Sequence, residues 1–166
     1  FSFYKGDIRD REAVAKCMRP DDSVVHFAAQ THVDRSVLKA EEFVTTDVYG
    51  TYILLETARE KNVKLFVYIS TDEVYGEAGD SPSLEGDSLM PKSPYAASKA
   101  GADRLAFSFW ATYCLPVVIV RCVNNYGSKQ YPEKLIPLFI TNVIDNKRLP
   151  IYGDGNQVRT WLHVWD

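Results

Sequence analysis

The sequence predicts an α/β fold built on a doubly wound parallel sheet, and three observations predict it. Short runs of apolar and β-branched residues alternate with longer stretches whose apolar positions recur at helical spacing. The order strand, helix, strand, helix, strand points to parallel neighbours joined by helical crossovers, with both sheet faces covered. The polar triplets that look chemical follow the apolar runs, and ligands in such sheets bind at the carboxyl ends of the strands.

Taken in order, Ser23-Val24-Val25-His26-Phe27-Ala28-Ala29 is an apolar run ending in small residues, as a buried parallel strand does. From about residue 41 to 61, Phe43, Val44, Val48, Leu54, Leu55 and Ala58 suit a helix. Gly50 weakens that helix and so marks a place of close packing. Leu65 to Ser70 is the next strand. Residues 77–92 are rich in Gly, Ser, Pro and Asp and read as a surface loop over the strand end. Ser93 can cap the following helix and Pro94 fits its first turn. That helix runs to about Tyr113, and Val117 to Val120 is the next strand. Residues 133–146 read as helical despite Pro137. Strands are expected at Leu149–Tyr152 and Val158–Val164, separated by a turn at Gly153-Asp154-Gly155-Asn156.

Composition narrows the function classes. With 166 residues the chain is long enough for a domain with a core, and its net charge of -3 supplies no basic face for nucleic acid or an anionic membrane. Cys17, Cys114 and Cys122 are odd in number and lack C-x-x-C spacing, so neither a disulfide framework nor a metal site is expected. Reduced thiols, the absence of a membrane-length apolar run and the absence of a signal peptide before the first motif give a cytoplasmic expectation.

Four segments carry candidate chemistry. In Tyr95-Ala96-Ala97-Ser98-Lys99, positions four apart share a helix face, so the Lys99 ammonium can favour a Tyr95 phenolate able to take a proton from an alcohol. The same spacing also suits an exposed helix pair. Thr71-Asp72-Glu73 leaves the strand Leu65–Ser70, where Thr71 can bond a substrate oxygen and the two carboxylates can divide acid and base work. Its plainer role is a solvated turn. Ala28-Ala29-Gln30-Thr31-His32 offers small residues that let a flat cofactor approach the backbone, with His32, Asp34 and Arg35 also readable as a structural polar cluster. Asn124-Asn125 offers donors and acceptors to a sugar or an amide, or simply a turn.

Together these segments resemble the dTDP-glucose 4,6-dehydratases of the extended short-chain dehydrogenase/reductase superfamily. The matching residues are Gly6-Asp7-Ile8, His26 to Asp34, Ser70 to Gly76, Ser93 to Lys99, Asn124 to Gly127, Tyr131 to Pro137 and Leu149 to Gly153. Thr71-Asp72-Glu73 before Val74-Tyr75-Gly76 is the specific part, since epimerases and decarboxylases usually carry other residues at Asp72 and Glu73. The resemblance implies a Rossmann-like fold and one bound NAD. Tyr95, aided by Lys99 and Thr71, takes the C4 hydroxyl proton as hydride leaves C4. Glu73 then removes the C5 proton, Asp72 protonates the departing C6 hydroxyl, and hydride returns to C6. Elimination needs both a base and an acid, which accounts for two carboxylates.

The same resemblance places Asp7 and Ile8 by the adenine. It lines the NAD site with Phe27, Ala28, Ala29, Gln30 and Thr46, brings Asn125 to the nicotinamide side, and has Tyr95 and Lys99 reach the cofactor. It turns Thr31, Thr71, Asn124, Lys134, Leu135, Pro150, Tyr152 and Arg159 toward the sugar nucleotide, and it implies a homodimer through the helices near 41–61 and 93–113. Residues 1–123 are then an incomplete NAD-binding domain and 124–166 the start of a substrate region. The family's opening βαβ unit with its Gly-x-x-Gly-x-x-Gly turn has no counterpart here, so the chain reads as a fragment. Asp47, Thr160 and Trp165 stand where the family commonly has an asparagine, an aspartate and an acid. The competing readings are a related nucleotide-sugar epimerase or decarboxylase, and a catalytically silent fragment.

Overall fold

The computed structural model describes residues 1–79 and 81–166. Asp80, within the expected loop at 77–92, lies outside the described residues. Two compact units divide the chain, Phe1–Cys122 and Val123–Asp166.

The first unit opens with α1 (Arg11–Cys17), whose first turn is capped by Asp10, the side chain accepting from the main-chain N–H groups of Glu12 and Ala13. Strand β1 (Ser23–His26) follows, then the short helices α2 (Val33–Leu38) and α3 (Ala40–Phe43). A π-helical turn at Val44–Tyr49 leads into α4 (Gly50–Lys61), so the helix expected near 41–61 is present but locally underwound at one bulge. Such bulges are frequent at functional sites. Gly50 sits where the two segments join. A Cβ there would stand 2.5 Å from Ile8 Cδ1, which is the close packing the glycine implied.

Strand β2 (Leu65–Thr71) runs into a 3₁₀ turn at Asp72–Tyr75, and α5 (Pro94–Tyr113) leads to β3 (Val117–Cys122). The sheet is parallel in the order β1-β2-β3, with His26 beside Tyr68 and Tyr68 beside Ile119. Phe66 and Tyr68 point to the face covered by α4 and α5, where they join Leu55, Ala58, Ala102, Ala106 and Phe109 in the core. On the other face Val25, Val118 and Val120 remain 50%, 47% and 39% exposed. The reason is topological. Two right-handed crossovers moving in one direction along a sheet place both helices on the same face.

In the second unit β4 (Asn124–Tyr126) pairs in parallel with β5 (Trp161–His163), and α6 (Leu135–Ile144) lies between them in sequence. Tyr126 packs edge-on against Trp161 and His163. The expected strand at Leu149–Tyr152 is absent, and the one expected at 158–164 shrinks to Trp161–His163. A strand needs a partner edge, and this stretch bonds locally instead. The Tyr152 carbonyl accepts from the Gly155 N–H and from Gln157 Nε2. The turn at 153–156 does form, with Gly153 and Gly155 at positive φ and the Asp154 carboxylate accepting from the Asn156 N–H. Among the described residues no helix is long and apolar enough to cross a membrane.

Candidate active site

The site is built where β2 ends. Thr71 is the last strand residue, and its hydroxyl oxygen accepts from the Glu73 main-chain N–H at 3.3 Å, capping the turn that carries Asp72 and Glu73. The Thr71 hydroxyl also lies 3.2 Å from Asp72 Oδ1, to which it donates. Gly76 closes the turn at φ 90°, with its N–H donating to the Glu73 carbonyl at 3.1 Å. The Met90 N–H reaches the Val74 carbonyl at 3.0 Å and fastens the far end of the loop to the same turn.

Helix α5 starts against this turn for local reasons. Ser93 Oγ accepts from the Ala96 N–H at 3.0 Å, and Pro94 occupies a position that needs no N–H donor. The first turn therefore carries Tyr95, and Lys99 stands one turn further. The Thr71 hydroxyl is near enough to the Tyr95 phenol to work toward lowering its pKa. Its ring packs edge-on against buried Phe43, with centroids 6.4 Å apart. Burial first, and then the Glu73 carboxylate, push the phenol well above its ordinary range, so it stands protonated.

Lys99 is buried, and its ammonium turns to the sheet. Nζ donates to the Ile69 carbonyl at 2.6 Å and lies 4.4 Å from the centre of the Tyr68 ring. Burial pulls its pKa down to about 8, against the attraction of Asp47, Cys122 and Asp103. The phenolate-favouring contact expected from the helical spacing is thus not the one made here. Lys99 bonds the end of β2 instead.

The residues expected around a cofactor occupy the carboxyl end of β1 and the N-terminal segment. Phe27 and Ala28 are exposed just past the strand, Ala29 and Gln30 are half-buried, and Thr46 is half-buried on the π turn. The Gln30 N–H is already held, donating to Asp47 Oδ1 at 2.8 Å. The Asp7 carboxylate is gripped by the Arg9 guanidinium and N–H, which bring it down to about 2. Ile8 packs on Gly50. Thr31 is exposed past β1.

In the second unit Asn124 and Asn125 form a strand rather than a turn, paired with Trp161 and Leu162, and the Asn125 carbonyl accepts from Gln130 Nε2. Lys134 precedes α6 and Leu135 begins it. Pro150, Tyr152 and Arg159 are exposed, with Arg159 Nη1 donating to the Val158 carbonyl.

Two buried polar groupings escaped the sequence reading. His26 Nε2 lies 2.9 Å from Thr51 Oγ1, and the Thr51 hydroxyl donates to the Asp47 carbonyl at 2.5 Å. Asp103 is paired with Arg121, whose Nη1 also donates to the Tyr75 hydroxyl at 2.6 Å and to the Glu85 carbonyl. Only the His26 in the matched motif and the charge of Arg121 inside a β-branched strand hinted at them.

Comparison with known proteins bears on this constellation. The family model for GDP-mannose 4,6 dehydratase matches residues 1–166. The chain belongs to that family. A dTDP-glucose 4,6-dehydratase from Actinoplanes sp. is 49% identical over 166 residues, covering 100% of this chain and 52% of the relative. One from Streptomyces antibioticus is 52% identical over 165 residues, covering 99% of this chain and 49% of the relative. The crystal structure of DesIV, a dTDP-glucose 4,6-dehydratase from Streptomyces venezuelae with NAD bound, superposes with a TM-score of 0.92. It is 52% identical and covers 95% of this chain and 49% of that one. The chain therefore spans about half the length of the curated relatives it matches. The parallel sheet with flanking helices that it shares with DesIV makes it a Rossmann-like member of the GDP-mannose 4,6 dehydratase family.

Proposed function

We propose that the protein carrying this chain is a hydro-lyase. It converts dTDP-glucose to dTDP-4-dehydro-6-deoxy-glucose by C4 oxidation, loss of water across C5–C6 and reduction at C6. The observation that carries this reading is one juxtaposition. The half-buried Tyr95 phenol stands by the strand end that carries Thr71, Asp72 and Glu73, and the Glu73 charge is felt at the phenol. The relatives' names support the same chemistry.

The residues fit an NAD cofactor. The carboxyl end of β1 presents exposed Phe27 and Ala28, and small side chains there leave space for a flat ring system. When bound, NAD supplies the hydride acceptor for C4 and the donor for C6. On the protein's side, Tyr95 must first give up its own proton, and as phenolate it takes the C4 hydroxyl proton, with Thr71 beside it. The C4 ketone acidifies C5–H. Glu73 takes that proton, Asp72 gives one to the departing C6 oxygen, and Glu73 returns a proton to C5 as C6 is reduced. The C5–H electron pair becomes the new double bond as the C6–O bond breaks. Lys99 fixes the end of β2 and keeps a positive charge beneath the site. Asp7, Ile8, Ala29, Gln30, Thr46 and Asn125 complete the cofactor site. Thr31, Asn124, Lys134, Leu135, Pro150, Tyr152 and Arg159 contact the nucleotide sugar.

In this reading residues 1–123 are the NAD-binding part and 124–166 the start of the substrate region, and the enzyme works in the cytoplasm. Two copies pair through α4 and α5, which leave Tyr52, Phe107, Trp110 and Tyr113 exposed. The test uses the full-length protein and dTDP-glucose carrying deuterium at C4, followed by mass spectrometry and NMR. The expected product has lost one water and carries the deuterium at C6. Label retained at C4 with inverted configuration overturns dehydration in favour of epimerisation.

A further inference from the structure

The π turn between α3 and α4 buries a carboxylate that the mechanism above does not use. Asp47 is 1% exposed, and each of its polar groups is tied to a different part of the site. Oδ1 accepts from the Gln30 N–H at 2.8 Å, just past the end of β1. Oδ2 lies 2.8 Å from Ser98 Oγ, on α5 beside Lys99. Its carbonyl accepts from the Thr51 hydroxyl, which in turn bonds His26. A backbone N–H can only donate, so Oδ1 must be an acceptor. The Ser98 hydroxyl has one hydrogen and two acceptors within 2.8 Å, Oδ2 and the Tyr95 carbonyl. An ionised Asp47 takes that hydrogen.

The charge has a direction as well. The groups facing Lys99 are His26 from β1, Tyr68 from β2, Asp103 from its own helix, Cys122 from β3 and Asp47 from the π turn. Glu73, on the turn after β2, acts on Tyr95. Among the described residues Asp47 and Asp103 are the buried acids. Asp103 is already matched by Arg104 and Arg121. Burial works to raise the Asp47 carboxyl, while the Gln30 N–H, the Ser98 hydroxyl and Lys99 favour its charged form, so Asp47 is the buried acid left to answer the ammonium.

We propose that Asp47 is a positioning residue. Its carboxylate locks Gln30 to the first turns of α5 and holds a negative charge opposite Lys99, so that Lys99 stays an ammonium in a dry site. The proposal rests on the reading of Tyr95 and Lys99 as parts of the reaction site, and its test does not depend on turnover.

Asp47→Asn separates frame from charge. The amide oxygen still accepts from Gln30, the amide N–H donates to Ser98 Oγ, and the Ser98 hydrogen moves to the Tyr95 carbonyl. All three tethers survive while the charge is gone. In full-length protein labelled with ¹³C-lysine, Lys99 is titrated by NMR, its signal assigned through Lys99→Arg. The expected result is a Lys99 midpoint lower by about one pH unit in Asp47→Asn than in the unsubstituted protein. With dTDP-glucose, the alkaline limb of kcat should move down by the same interval with KM little changed. Identical Lys99 titrations overturn the proposal. A second measurement needs no variant. The Asp47 ¹³Cγ signal must report a carboxylate at neutral pH, and a protonated Asp47 there overturns it too. If Lys99 shifts as expected but dTDP-glucose is not consumed, the substrate reading falls and the role of Asp47 stands.

Discussion

Arg121 grips Asp103 with two parallel bonds, Nε to Oδ2 at 2.8 Å and Nη2 to Oδ1 at 3.0 Å. The pair joins the end of β3 to the middle of α5, and the remaining guanidinium nitrogen reaches Tyr75 on the turn that carries Asp72 and Glu73. The Asp103 side chain is fully buried. Burial works to raise its pKa, but hydrogen bonds from Arg121 and Arg104 outweigh it and hold the carboxyl below its usual range. Arg121→Met leaves a buried charge with the Arg104 contact alone. Breaking such a pair from one side costs about 3 kcal/mol or more. The expected outcome is a lowered urea midpoint for the full-length protein. Arg121→Lys should recover part of it, because the charge returns without the fork.

Gly76 makes the second prediction. It sits at φ 90° and ψ -145°, a region open to glycine and strained for other residues. A Cβ there would collide with the Met90 carbonyl oxygen. Gly76→Ala must therefore displace the backbone of the Asp72–Tyr75 turn or of the loop pinned to it. A loss of about 2 kcal/mol in stability is expected from strain of this kind. Activity should fall as well, with kcat affected more than KM, since the turn aims two carboxylates. Chemical denaturation and steady-state kinetics read both.

His26 gives stability a pH dependence. The Thr51 hydrogen is committed to the Asp47 carbonyl, so Nε2 must donate. Burial, then the Lys99 charge, bring its pKa down to about 3. The unfolded chain binds the proton more tightly than the folded one. This contribution is present above pH 6.5 and is lost as pH falls from there toward about 3, at about 1.4 kcal/mol per pH unit. His26→Gln keeps a donor for Thr51 and cannot titrate. The slope of stability between about pH 6 and 4 should be shallower in that variant, measured by denaturant titration at each pH.

How far the sequence reaches depends on whether a feature is local. The ends of α5 were legible because Ser93 and Pro94 act within one turn, and β2 because its alternating buried Phe66 and Tyr68 are strand chemistry. Thr71, Asp72, Glu73, Tyr95 and Lys99 were found as motifs, and the two segments that carry them do meet at one strand end. Side-chain direction was not legible. Lys99 turned to Ile69 because the carbonyl at the end of β2 is the acceptor its burial requires. Asp47 showed only as a departure from a family habit. Its function as a tie between Gln30 and Ser98 depends on residues 17 and 51 positions away. Leu149–Tyr152 has strand composition but no edge to pair with, and composition cannot supply one.

The acid–base division between Tyr95, Glu73 and Asp72 can be dissected step by step. Tyr95→Phe removes the group proposed to take the C4 proton, and loss of a positioned general base costs about 10²- to 10⁴-fold in rate. It should stop every later event, including exchange of the C5 hydrogen with solvent. Glu73→Gln should leave C4 oxidation in place and abolish C5 exchange. It also removes the charge that raises the Tyr95 phenol, so the pH at which C4 oxidation switches on should move down. Asp72→Asn should leave both C4 oxidation and C5 exchange measurable while slowing water loss, because the proposed role of this acid is confined to the C6 oxygen. Incubation of the full-length protein with dTDP-glucose in D₂O, with NMR at C5 and product analysis, distinguishes the three. Equal loss of C5 exchange and of water elimination in Asp72→Asn would show that the two carboxylates act as one unit and not as separate base and acid.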